Sequence, residues 1–306
     1  MNRHIQVTEG KNGGLRYLSS VLLASLFTIL GSFIYVIVEF IIVEGGKSNK
    51  TYSDFKDKVS MNITPNLDFL LSHIIYLFGI LGIYLSIRFI HKRSIKSLIT
   101  SKNKINWRKI IWGFSVFASL LVITQLVDFL LNPSDYQWNN VKLTQYIPLL
   151  LITLFLVPIQ TTTEEIFFRG LLMQWLGKII INPFILALIV GIIFAACHFT
   201  NPEMNQAAIL VGLDYILVGF FLTFISVKTK SLEFTIGAHA ANNMFLSLFV
   251  VSDNSALGSI PSLFKLVKDE PLATLIWSII TFIIFYILCM REIRREERNH
   301  PNKLII

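Results

Sequence analysis

Runs of about twenty apolar residues recur along the whole chain, starting with Tyr17 to Val43, and this pattern leaves few folds open. A helix rising 1.5 Å per residue needs roughly 20 such residues to cross about 30 Å of hydrocarbon. The first run is too long for a signal-peptide core and no small-residue cleavage site follows it, so it reads as a retained helix. Eight runs are expected to span, at 17–43, 67–90, 109–131, 147–180, 183–199, 206–227, 232–251 and 271–290. Composition agrees: 54% of the 306 residues are hydrophobic and 15% charged, against about 25% charged in an average soluble chain. The sequence therefore predicts an all-α, polytopic integral membrane protein of about eight transmembrane helices, forming one membrane domain over residues 1–306. No internal repeat or low-complexity segment divides it, and the longest polar connections are 44–66 and 252–270.

Charge sets the orientation. The stretch 88–109 carries eight Lys or Arg and no acid; placing it in the cytoplasm puts both termini there too, with 20 of the 27 Lys and Arg on that side. The expected location is the cell membrane, multi-pass, with cytoplasmic N- and C-termini. The net charge of +8 comes from residues flanking membrane segments, so the lipid bilayer and its anionic headgroups account for it and no nucleic-acid partner is expected. Cys197 and Cys289 both lie in apolar runs and predict no disulfide; a small buried residue is the reading preferred for Cys197. Asn49-Lys50-Thr51 and Asn62-Ile63-Thr64 match the short glycosylation pattern, read as accidental.

Within this apolar chain the segment TTTEEIFFRGLL, 161–172, places Glu164, Glu165 and Arg169 at membrane depth. Ionisable groups there cost about 3 kcal/mol each on insertion scales, so a functional reading is the default. Their span, 147–180, would measure roughly 51 Å as one helix, and Pro158 with Thr161 to Thr163 predicts a bent helix or two stacked segments. If the arms on either side of Ile181 are both regular helices, Glu164 and His198, each 17 residues away, reach one depth. His239 lies ten residues past the next turn, near Thr229, and can share that level. Glu165 and Arg169 are i, i+4 and suit an ion pair. His239 and Asn243 share the same spacing, while Glu164 is turned ~100° away from Glu165.

A carboxylate beside an imidazole can take a proton from water, and an imidazole with a side-chain amide can donate to the oxyanion of a tetrahedral intermediate. Peptide hydrolysis uses both. Asp214 has no partner aspartate in a recognisable motif, Asp128 lies near the outer end of its span, and no GxSG is present for a serine nucleophile.

At these residues the chain resembles the CAAX protease and bacteriocin-processing family of intramembrane proteases, which includes the Ras-converting CAAX endopeptidase. The EExxxR motif is Glu164, Glu165 and Arg169; FxxxH is Phe194 to His198; HxxxN is His239 to Asn243. The match covers about 160–245, the expected catalytic core. The resemblance implies an eight-helix fold enclosing an intramembrane catalytic cavity. It assigns Glu164 and His198 to water activation, His239 and Asn243 to the oxyanion site, and Glu165, Arg169 and Phe194 to support. The implied partner is a membrane-associated peptide or protein substrate. In a bacterium, to which the short loops and the Lys-, Asn- and Ile-rich composition point, this would be a secreted or signalling peptide precursor. No cofactor is favoured; if a metal were used, Glu164, His198 and His239 would be the set to hold Zn²⁺. Three rival functions stay open: a non-enzymatic scaffold, a bacteriocin-immunity protein on the same fold, and, less favoured, a proton-coupled transporter.

Overall fold

The computed structural model describes residues 4–45, 63–258 and 260–299. Helix α1 (Gly14–Gly45) is followed by α2 (Pro65–Leu85), which runs into a π turn at Ser86–His91 and then into short α3 (Lys96–Ile99) and α4 (Trp107–Leu131). Next come strand β1 (Tyr136–Trp138), α5 (Leu143–Phe155), α6 (Val157–Glu165), a second π turn at Ile166–Leu172 and α7 (Met173–Leu176). The chain ends with α8 (Pro183–Ala196), α9 (Met204–Thr229), α10 (Glu233–Leu248), β2 (Val250–Ser252), β3 (Phe264–Leu266) and α11 (Pro271–Asn299). Thr64 of the second glycosylation pattern caps α2, its hydroxyl accepting from Leu67 N, with Pro65 at the first helical position. Asn62 and the whole of the first pattern lie outside the described residues.

All eight apolar runs form helix, and among the described residues six helices are long and apolar enough to cross a membrane. Helix α8 has 14 residues and stops at Ala196, where the amides of Cys197 and His198 turn back to Phe194 O and Ala195 O. Helix α10 has 16 residues, 13 of them buried, because the other helices surround it. The outward faces carry large apolar side chains such as Leu22, Phe33, Ile111, Leu130 and Ile276, as a lipid-facing surface requires. The protein is a polytopic all-α membrane protein.

Close helix approach in such a setting depends on small residues, since lipid supplies no hydrophobic drive between helices. A Cβ at Gly237 of α10 would meet Ile110 O of α4 at 2.1 Å, and one at Gly219 of α9 would meet Gly191 Cα of α8 at 2.7 Å. Aromatic packing fills the wider gaps, with Phe117, Phe234, Phe282 and Phe285 in one cluster between α4, α10 and α11.

The long fourth span breaks at Leu156, which lies two residues before Pro158 and ends α5. The proline ring cannot pass the carbonyl of Leu154 in a regular helix. Thr161 and Thr163 then bond back to Val157 O and Ile159 O, keeping their hydroxyls satisfied inside the helix. Two short segments in the expected polar connections, together with β1, form a sheet the sequence did not signal. Its order is β1-β3-β2, antiparallel with Tyr136 opposite Leu266 and parallel with Val250 beside Phe264. It ties the turn after α4 to the chain leaving α10.

Candidate active site

The π turn follows directly on the two glutamates. Its wider i→i+5 geometry interrupts the α-helical period in the segment that carries Arg169, and such turns cluster at functional sites. The i, i+4 reach from Glu165 to Arg169 survives: Arg169 Nη1 donates to Glu165 Oε1 at 2.9 Å, with both side chains fully buried. The remaining guanidinium donors reach α9, Nε to Thr223 Oγ1 at 3.3 Å and Nη2 to Gly219 O at 3.3 Å. Only a close α8–α9 crossing, made with Gly191 and Gly219, leaves that carbonyl accessible. Beneath the guanidinium lies the Phe194 ring, 4.5 Å from its carbon.

His239 of α10 stands between the glutamates. Nδ1 donates to Glu165 Oε1 at 2.8 Å, while Nε2 faces Glu164 Oε2 at 3.7 Å, beyond hydrogen-bond range. An imidazole whose Nδ1–H is held by a carboxylate has a fixed orientation, with Nε2 as the nitrogen turned to Glu164. Although Glu164 points ~100° away from Glu165 along the helix, one ring meets both because its nitrogens lie on opposite sides. Asn243, one turn along, accepts from Asn242 Nδ2 at 3.2 Å, so its own amide donors stay available. Asn242 thus orients its neighbour.

His198 is placed differently from the expectation of two regular arms at equal depth. It sits in the turn after α8, and the opposite arm is widened by the π turn, so counting residues from Ile181 does not fix a shared level. Its Nδ1 donates to Phe194 O at 2.7 Å, and its ring lies between Phe194 and Tyr215, each with centroids 4.5 Å away. Among the described residues it makes no hydrogen bond to Glu164. Phe194 connects the two halves, with its ring centroid also 6.3 Å from that of His239. The Tyr215 hydroxyl donates to Glu203 and accepts from Asn201 Nδ2 at 2.8 Å. Glu203 in turn accepts from Ala256 N at 2.8 Å. The connection after His198 is therefore strapped to the segment following β2.

Among the described residues no three His, Cys, Asp or Glu side chains are grouped to hold an ion. Nδ1 of His239 is bonded to Glu165 and Nδ1 of His198 to Phe194 O, which leaves Nε2 on each ring as the nitrogen that would meet a ligand. Cys197 is exposed, not buried as the sequence reading preferred, because it falls just past the end of α8. Asp128 is held by the Tyr136 hydroxyl and by Trp277 Nε1 at 3.2 Å, a structural role at the end of α4. Asp214 Oδ1 is buried without a hydrogen-bond partner among the described residues.

Sequence reasoning missed Gln160, Tyr76, Thr223 and Tyr215. Gln160 had a signal, its i, i+4 spacing to Glu164. The others come from distant helices with no motif to mark them.

Fold and site together define a helical membrane protein with a glutamate–histidine–arginine cluster enclosed between its helices. The chain belongs to the CAAX protease and bacteriocin-processing family. The family described as type II CAAX prenyl endopeptidase Rce1-like matches residues 144–245, which include every motif residue named above. Over 287 residues the chain is 41% identical to an uncharacterized protein, YyaK, of Bacillus subtilis (strain 168), covering 93% of this chain and 94% of that protein. No solved structure matches it.

Proposed function

We propose that the protein is an intramembrane endopeptidase that hydrolyses a peptide bond in a membrane-associated peptide or protein. The observation that carries this is the His239 ring held by Glu165 at 2.8 Å with its other nitrogen turned to Glu164 at 3.7 Å. Glu164 is the general base. It is partly exposed, at 14% of its side chain, where Glu165 is fully buried, so of the two it is the carboxylate a water can reach. Glu164 takes the proton from that water as the oxygen attacks the scissile carbonyl. His198, with Nδ1 committed to Phe194 O, has Nε2 left to hold the same water.

As the carbonyl becomes tetrahedral its oxygen gains charge. Protonated His239, through Nε2–H, and the Asn243 amide donate to it; such donors are worth about 10²–10³ in rate each. Glu165 stabilises the imidazolium, and Arg169 keeps Glu165 in place. The proton on Glu164 then passes to the leaving amine. No step uses a metal. Residues 160–245 form the catalytic core of a single domain, with N- and C-termini in the cytoplasm and the enzyme in the cell membrane.

The test is cleavage of a fluorogenic peptide library by the purified protein in liposomes, for wild type, Glu164→Ala and His198→Ala, each with and without a chelator. Loss in both variants with no chelator effect is expected. Activity lost to chelator and restored by Zn²⁺ overturns the metal-free mechanism. A well-folded wild type that cleaves nothing puts a scaffold or immunity role ahead.

A further inference from the structure

The Glu164 oxygen that does not face His239 meets a polar row drawn from α6 and from α2, a helix that carries none of the three motifs. Gln160, one turn before Glu164, donates its Nε2 to Tyr76 OH at 3.2 Å and to Glu164 Oε1 at 3.4 Å. Tyr76 comes from α2. Because its oxygen accepts from Gln160, its own O–H remains free to donate toward the carboxylate. One turn back, His73 is 2% exposed, with Nδ1 held by Phe69 O at 2.6 Å and Nε2 buried without a partner among the described residues. The His73 and Tyr76 rings are 6.1 Å apart on the same face. Three polar side chains gathered at membrane depth are expensive unless they serve a site.

We propose that Tyr76 and Gln160 are positioning residues for Glu164, an inference that rests on the peptidase reading above. Gln160 takes Oε1, the oxygen that His239 does not face, and Tyr76 holds Gln160, so the pair fixes the plane of the carboxylate with Oε2 turned to His239 and the attacking water. A carboxylate free to rotate would offer either oxygen and lose the single line from base to water to scissile carbon that in-line attack requires. His73 extends the polar row behind Tyr76 and gives α2 a face that apolar packing alone does not call for.

Tyr76→Phe and Gln160→Leu each remove a donor and keep the shape. Tyr84→Phe, on the exposed face of the same helix, is the control. In liposomes kcat is expected to fall roughly tenfold in either variant, the worth of one hydrogen bond to a charged group, with KM within about twofold. A second readout needs no turnover: the infrared carboxylate stretch of Glu164, isolated by subtracting the Glu164→Gln spectrum. It shifts in Tyr76→Phe and Gln160→Leu and stays put in Tyr84→Phe. An unshifted band in both variants overturns the positioning role, whatever the activity. Full cleavage by Glu164→Ala would instead remove Glu164 as the general base, and the band would still decide whether Tyr76 and Gln160 hold this carboxylate.

Discussion

The guanidinium carbon of Arg169 sits 4.5 Å above the Phe194 ring, and the same ring packs against His198 with centroids 4.5 Å apart and planes tilted by 40°. One side chain of α8 thus joins the ion pair of the first motif to the histidine of the second. The phenylalanine is a common wall: its face supports the cation, and its backbone carbonyl orients the imidazole.

Phe194→Leu keeps the volume roughly and removes the π face. A desolvated cation–π contact is worth about 2 kcal/mol, so the melting temperature in detergent should fall. The rate should fall further than stability explains, because His198 loses one of its two aromatic neighbours. A variant with wild-type Tm and wild-type rate would show that the ring is ordinary packing.

Removing Arg169 is a harsher change. Glu165 would keep a buried charge with only His239 beside it, and breaking a buried pair costs about 3–5 kcal/mol. Arg169→Ala should therefore unfold readily, as thermal melting would register. Replacing both partners, Arg169→Met with Glu165→Leu, should recover most of that stability. It should not recover cleavage, since His239 Nδ1 would have lost its acceptor. Restored activity in the double variant would remove Glu165 from the mechanism.

Asn243→Ala tests the oxyanion assignment. Its amide donors are uncommitted and it is one turn from His239, so the expected loss is about 10²-fold in kcat with little change in KM. Equal losses in KM would instead place the amide in ground-state binding.

What the sequence displayed and what it hid follow from the range of each interaction. Glu165 with Arg169, and His239 with Asn243, were legible because four residues bring two side chains to one helix face. The break before Pro158 was legible for the same local reason. The π turn at Ile166–Leu172 carries no residue signature, so counting along regular helices does not by itself fix the level of His198. Gln160 meeting Tyr76 is a contact between helices 84 residues apart, and only packing decides it. Hydropathy records apolar length and not its cause: α8 and α10 are shorter than a full crossing among the described residues, and α10 is apolar largely for burial against protein. Three-residue strands such as β2 and β3 lie below what alternation can reveal.

The α8–α9 crossing offers a prediction about backbone packing. A methyl on Gly219 would come within 2.7 Å of Gly191 Cα and 3.0 Å of Gly191 O, backbone that cannot swing aside. Gly219→Ala should push the helices apart, cost about 1–3 kcal/mol and draw the Gly219 carbonyl away from Arg169 Nη2. Melting temperature and activity should fall together. Glycine at 212, where a Cβ would meet nothing closer than 3.6 Å, is the control and should accept alanine without loss.

The last prediction concerns pH and the N-terminal segment. Lys11 N donates to His91 O at 2.7 Å and Ser94 N to Glu9 Oε1 at 2.8 Å, docking residues before α1 on the turn after α2. His4 is fully buried there, and burial first, then the charge of Arg93, holds its imidazole down to about 4. An undocked histidine titrates near 6.5. Between those values the undocked chain binds a proton that the docked one does not, so docking is strongest above about pH 6.5 and weakens as pH falls toward 4. The whole window is worth up to about 3 kcal/mol. Hydrogen exchange of the amides around residues 4–12, corrected for intrinsic rate, should speed up from pH 7 to pH 4.5. His4→Leu should flatten that change. An unaltered pH dependence in His4→Leu would remove His4 as its source.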